Sequence, residues 1–214
     1  MAVARQAQLR PRKRPVQARS TATLQAIFDA TIQVLLKDGV QQLTTTRVAA
    51  RAGVSVGTLY QYLPHKQALL FAVLEQHLEQ LGQAIEMACT QLQARPVAEL
   101  AEGLANAYLN AKFKRIDASR ALYKVSAEMG TDLVGAIAKR TDLALTRTLS
   151  TATDVTFDNL PAISLTLRAT LAGTVRAVIE RGGGPADMKI LRTQLPLLCR
   201  AYLLAVGRTT STKS

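Results

Sequence analysis

The chain has 214 residues, 48% of them hydrophobic and 20% charged, with 4% aromatic and no Trp. A sequence this apolar can bury a sizeable core, which excludes a disordered chain, and its Ala- and Leu-rich apolar set favours helices packed on helices over sheet. The formal net charge of +12 is uneven: residues 1–66 hold 10 of the 27 Lys and Arg but 2 of the 15 acids, Asp29 and Asp38, a balance that suits a polyanion-binding module on a nearly neutral body.

Residues 1–19 read as a flexible basic arm, with Arg5, Arg10, Arg12, Lys13, Arg14 and Arg19, two prolines and no acid. No apolar run follows these charges, so a soluble, cytoplasmic protein without a secretory signal is expected. From Ser20 the period becomes helical: Leu24, Ile27, Phe28, Thr31 and Leu35 share a face, Ser20 or Thr21 suits the start, and Gly39 suits the end. Leu43 and Thr44 open a short helix carrying Val48, Ala49 and Ala52 and closed by Gly53. A second runs from about Ser55 to Tyr62, stopped by Pro64. Helices this short need a partner to pack on. A long helix is predicted from Lys66 to about Ala94, and others at about 97–115, 118–129, 131–153, 159–182 and 185–207. Asn159 with Pro161 and the run Gly182-Gly183-Gly184-Pro185 punctuate the last two. No strand alternation is present, and 209–214 reads as a flexible tail. The fold class is all-α.

The two short helices have the residue types of a helix-turn-helix. Ala49 is the small residue at the crossing, Gly53 lies four residues later in the turn, and Leu59 is the apolar anchor six after that. Val48 and Val54 complete the inner face. The outward set, Thr45, Thr46, Arg47, Ser55, Gly57, Thr58, Gln61 and Tyr62, consists mostly of groups that meet phosphates and base edges.

The stretch TTTRVAARAGVSVGTLYQYLPHKQALL resembles the DNA-binding domain of the TetR/AcrR family of bacterial regulators, over residues 20–75 in detail. The resemblance implies that Thr45 and Thr46 donate to phosphates at the start of the second helix. Ser55, Val56, Gly57 and Thr58 would approach the major groove, Tyr60 and Tyr62 would reach phosphates, Gln61 would read a base, and Lys66 would clamp a further phosphate. Val56 departs from the polar residue common at its place, so an apolar contact to a thymine methyl is expected there. His65 replaces the usual small residue before Lys66 and reads as a helix N-cap or a surface residue.

The resemblance also implies the domain plan: an arm at 1–19, a DNA-binding domain at 20–66, a helical ligand-binding and dimerisation domain at 67–208, and a tail at 209–214. The helices at about 159–182 and 185–207 would pair with those of a second copy. Ala169, Ala172, Gly173 and Ala177 permit close approach, and Leu195, Leu198, Tyr202 and Leu203 supply an apolar face. Such a homodimer would bind double-stranded DNA at a palindromic operator as a repressor, released by a small, largely apolar effector. Asn106, Tyr108, Phe113, Tyr123, Met129 and Arg168 are candidate walls of the effector pocket, although such residues at helical spacing also serve as plain core.

An activator or an effector-independent DNA organiser is the alternative within the DNA-binding class. A helical small-molecule carrier or lipid-surface binder is the alternative outside it. No catalytic, metal or cofactor site is expected: His65 and His77 have no Cys or carboxylate at metal spacing, and no nucleophile or phosphate-loop motif occurs. Cys89 and Cys199 lie in apolar helical stretches and read as ordinary reduced thiols.

Overall fold

The computed structural model describes residues 18–129 and 131–210, and these form nine helices and one minimal strand pair. The basic arm lies outside the described residues up to residue 17, as do 211–214 of the tail. In chain order the helices are α1 Ala18–Gln42, α2 Thr45–Ala52, α3 Val56–Tyr62, α4 Lys66–Gln91, α5 Val97–Lys114, α6 Ile116–Met129, α7 Thr131–Leu149, α8 Leu160–Glu180 and α9 Pro185–Val206. Two-residue strands β1 Val155–Thr156 and β2 Arg208–Thr209 pair antiparallel, Val155 opposite Thr209. The expectation of no strand fails here because two residues are too few to alternate visibly, and Thr209 is paired rather than part of a loose tail.

Several ends differ from their sequence-based positions for local reasons. α1 already includes Ala18, so Ser20 and Thr21 lie inside the helix and do not cap it. Gly39 takes φ 76° and ψ 173°, a kink after which helical bonding resumes to Gln42. α4 stops at Gln91, three residues before Ala94 adopts a positive φ of 54°. α7 ends at Leu149 and not near residue 153. There the Ser150 and Thr151 hydroxyls donate to the carbonyls of Arg147 and Thr148, and Thr151 Oγ1 accepts the amide of Ala94 at 2.9 Å. Such side-chain bonds compete with helix continuation.

The chain divides into two compact units. The first takes the residues up to Leu78 together with Asp117–Val134, and the second takes Glu79–Ile116 and the chain from Gly135 onward. The core of the first unit joins Ile27, Phe28 and Leu35 of α1, Val48 and Leu59 of the short helices, Leu69 and Leu74 of α4, and Leu122 and Val125 of α6. A buried bond between His77 Nε2 and Ser119 Oγ at 3.1 Å adds a polar link between α4 and α6.

The second unit is built around α9 packed along α5, with α8 beside them. Leu100, Leu104 and Leu109 meet a core that also takes in Leu167, Leu171 and Val175 of α8 and Leu195, Cys199 and Leu203 of α9. Among the described residues one helix, α8, is long and apolar enough by composition to cross a membrane, with a mean hydropathy of 1.3, and 33% of that stretch is buried.

Candidate nucleic-acid interface

The turn between α2 and α3 closes by backbone chemistry that only its sequence permits. Thr44 is extended and its hydroxyl accepts the Arg47 amide at 3.2 Å, so α2 starts with a side-chain cap. Gly53 sits at φ 67°, ψ 30°. Its amide reaches the Ala50 carbonyl and that of Val54 reaches the Ala49 carbonyl at 3.0 Å, the paired bonds of a Schellman ending that needs a left-handed residue. Ser55 then caps α3 by accepting the Thr58 amide at 2.9 Å. Val48, Ala49 and Leu59 are fully buried and lock the two helices onto α1.

What stays outside is the set of residues singled out in the sequence. Thr46, Arg47, Ser55, Gly57, Tyr60 and Gln61 are exposed, while Thr45, Val56, Thr58, Tyr62 and Lys66 are half-buried. Thr45 Oγ1 and the Tyr60 hydroxyl are 3.0 Å apart, a hydrogen bond that joins the start of α2 to the outer face of α3. Arg47 turns back: Nη1 donates to the Gln42 carbonyl at 3.2 Å and lies 3.5 Å from the Asp38 carboxylate. That pair is solvent-exposed and is weak enough to be exchanged for another anion. Lys66 Nζ donates to the Val40 carbonyl at 2.6 Å, tying the first residue of α4 to the end of α1. His65 Nδ1 accepts the Ala68 amide at 3.1 Å, so the imidazole does cap α4. The sequence places Thr44 at the opening of α2, but the roles of Asp38 beside Arg47 and of Val40 beneath Lys66 are absent from the sequence reading. Residues next to a helix end carried the only signal for them.

The six candidate pocket residues are spread over the two units. Tyr123 belongs to the first, and Asn106, Tyr108, Phe113 and Arg168 to the second; the Met129 side chain lies outside what is described. Asn106 is exposed, Phe113 lies beneath the Arg192 guanidinium at 4.9 Å, and Arg168 Nε is held by Asp142 at 2.5 Å. A cleft of about 290 Å³ between α4 and α7, lined by Cys89, Thr90, Arg140, Arg147 and others, takes in none of the six. Beside it the Arg140 guanidinium bonds Glu79 at 2.9 and 3.0 Å and also pairs with Glu86. Gly82 makes room for this contact, since a Cβ there would meet Arg140 Nη2 at 3.1 Å. The hydrogen bond from Arg140 holds the Glu79 carboxyl below the usual range against a smaller opposing effect of burial.

Lys112 and both cysteines of the second unit also depart from their ordinary acidity. Lys112 is 5% exposed on α5, and burial pushes its ammonium down to about 8, helped by the nearby charge of Arg176. Burial raises the Cys199 thiol to about 11, and also raises Cys89, so both are thiols rather than reactive thiolates at neutral pH. No group of three His, Cys, Asp or Glu with metal-binding geometry occurs among the described residues.

Residues 27–73 match the family model described as bacterial regulatory proteins, tetR family, and residues 96–203 match the tetracyclin repressor-like C-terminal domain. The chain belongs to the TetR family. Its helix-turn-helix, α2 and α3, lies within the first of these matches. Among relatives of this TetR-family chain, an uncharacterised helix-turn-helix transcriptional regulator of Bacillus subtilis, YvkB, is 38% identical over 64 residues. That segment covers 30% of this chain and 34% of the relative, so the chain aligns with only about a third of its length. The transcriptional repressor DrrR1 of Streptomyces coeruleorubidus is 26% identical over 204 residues, or 93% of this chain and 69% of the relative. Among solved structures, SmeT, the repressor of the Stenotrophomonas maltophilia multidrug efflux pump SmeDEF, superposes with a TM-score of 0.67 at 19% identity, covering 88% of this chain and 92% of that one. At that identity the likeness is one of fold.

Proposed function

We propose that this TetR-family regulator is a homodimeric repressor that binds a palindromic operator and is released by a small, largely apolar effector. The observation that carries the DNA half of this reading is the outer face of α2 and α3. The Thr44 and Ser55 caps, the Gly53 turn and the Thr45–Tyr60 bond hold a row of hydroxyl, amide and phenol groups clear of the core. In this reading Thr45, Thr46, Tyr60, Tyr62 and Lys66 bind phosphates. Ser55, Val56, Gly57, Thr58 and Gln61 face the major groove, and Arg47 exchanges Asp38 for a phosphate.

The dimer is supported by the apolar faces left bare on the last two helices. Leu165 on α8 and Ile190, Leu197, Leu198 and Leu204 on α9 are 46–60% exposed, and Ala169, Gly173 and Ala177 are also exposed. Large aliphatics in a stripe, beside small residues that permit close approach, suit burial against a second copy. Two heads so joined would meet major grooves one turn apart. The domain plan is a head at 20–66 and a ligand-binding and dimerisation body at 67–208, with α4 running unbroken from Lys66 to Gln91 as the lever between them. An effector that favours one disposition of the heads weakens DNA binding, and DNA weakens effector binding equally. Repression is preferred to activation because DrrR1 and SmeT are both named repressors.

Selection of bound sequences from random duplex DNA at near-physiological salt tests this directly. A palindrome with half-sites about one helical turn apart, roughly 10 base pairs, is the expected product. Sequence-independent, steeply salt-dependent binding would replace the operator reading with that of a DNA organiser.

A further inference from the structure

The cleft of about 290 Å³ between the C-terminal half of α4 and α7 lies within the second unit. Contacts between its walls fix the order of groups along it. At one end Arg140 bonds Glu79 and pairs with Glu86. Further along, the Thr148 hydroxyl donates to the Cys89 carbonyl at 3.1 Å, and past the end of both helices Thr151 Oγ1 accepts the Ala94 amide. The two helices therefore run in the same direction, and Gln93 and Arg147 stand together at the far end from Arg140.

The middle of the cleft is apolar because its hydroxyls are committed inside the protein. Thr148 gives its hydrogen to the Cys89 carbonyl, and Thr90 gives its own to the Glu86 carbonyl at 3.0 Å. Leu143, Ala144 and the Cys89 thiol are what a ligand would touch there. Leu143 is 50% exposed, so apolar surface stands in water that a ligand would displace. Three charged residues line the cleft, Glu86, Arg140 and Arg147. Glu86 and Arg140 neutralise each other. Arg147 is the one cation of the lining left without a carboxylate among the described residues. It lies on α7 two turns beyond Arg140, about 10 Å away. A cationic ligand would face Arg147, and a second negative charge would be brought against Glu86. One anion on an apolar body fits both ends.

We infer that this cleft binds a small amphipathic monocarboxylate, with the carboxylate on Arg147 and Gln93 and the hydrocarbon lying along Leu143 and Ala144 toward the Arg140–Glu86 pair. The body of such a ligand is no longer than the ~10 Å between the two arginines, and the cleft stands at the small end of the size range of ligand sites. Its walls belong to α4 and α7, so a ligand filling it fixes the body end of the lever α4 and acts as effector. That regulatory half rests on the repressor reading proposed above; the binding half does not.

The test titrates the full-length protein with linear carboxylates from butanoate to decanoate, each compared with the alcohol of equal chain length. Calorimetry reads the affinity, and the methyl resonances of Leu143 and Ala144 locate the ligand. At least one acid should shift both methyls and bind about tenfold more tightly than its alcohol. Arg147→Gln, a substitution at an exposed position, should weaken that acid about tenfold, the scale of a charge-assisted hydrogen bond. At saturation the acid should also lower wild-type affinity for the selected operator about tenfold. Unshifted Leu143 and Ala144 methyls across the whole series would overturn the assignment. So would an alcohol that binds as tightly as its acid, or an Arg147→Gln protein that binds the acid undiminished. Binding in the cleft with no change in operator affinity would overturn its role as the effector site. A wild-type protein that selects no operator would instead remove the repressor reading, and the methyl shifts and the Arg147→Gln comparison, which need no DNA, would still decide the cleft.

Discussion

Lys112 illustrates how a single side chain can set a protein's response to pH. It lies on α5 at 5% exposure, and burial with the Arg176 charge lowers its pKa to about 8. The unfolded value is near 10.4. Between these values the unfolded chain binds more protons than the folded one, so stability rises with pH from about 8 to about 10.4, by about 3 kcal/mol in all. Below that window both states are charged and the cost of burying the ammonium is constant. Denaturant melts across this range should show that rise in wild type. Lys112→Met should flatten it and raise stability at pH 7 by about 2 kcal/mol. A pH profile unchanged by the substitution would remove Lys112 as its source. Nothing in the sequence marks this lysine: it stands in NAKFK beside Lys114, and only the packing of α5 decides which of the two is buried.

At the scale of elements, the helix-turn-helix was legible because its requirements are local. Ala49, Gly53 and Leu59 each satisfy a steric condition within a few residues, and the structure meets all three. The joint between α1 and α4 was not legible, since Val40 and Lys66 are 26 residues apart. Lys66 was expected to bind phosphate alone. Its 2.6 Å bond to the Val40 carbonyl gives it a second task, and an ammonium with three donors can perform both. Lys66→Met keeps the aliphatic stem and removes the charge. It should lower stability by about 1 kcal/mol and reduce the salt slope of DNA binding by about 1. A stability loss with an unchanged slope would confine Lys66 to holding α4 against α1.

For the molecule as a whole, the bare faces of α8 and α9 carry the next prediction. Five large aliphatics on these helices are 46–60% exposed, more than a monomer ordinarily leaves in one stripe. Leu197→Glu combined with Leu204→Glu, one face of α9 two turns apart, should convert the proposed dimer to a monomer in sedimentation. Operator affinity should fall by roughly 100-fold as the second head is lost. A variant that still sediments as a dimer would place the interface elsewhere. The sequence by itself determined the helical class, the approximate helix positions and the helix-turn-helix, because periodicity, caps and turn glycines act over a few residues. Tertiary structure alone decided that α6 joins the core of the first unit and that Arg140 lies across Gly82. It also decided that Ser20 and Thr23 face the start of α3. Each of these depends on which helix faces come together at long sequence separation, and helical periodicity specifies an apolar face without naming its partner.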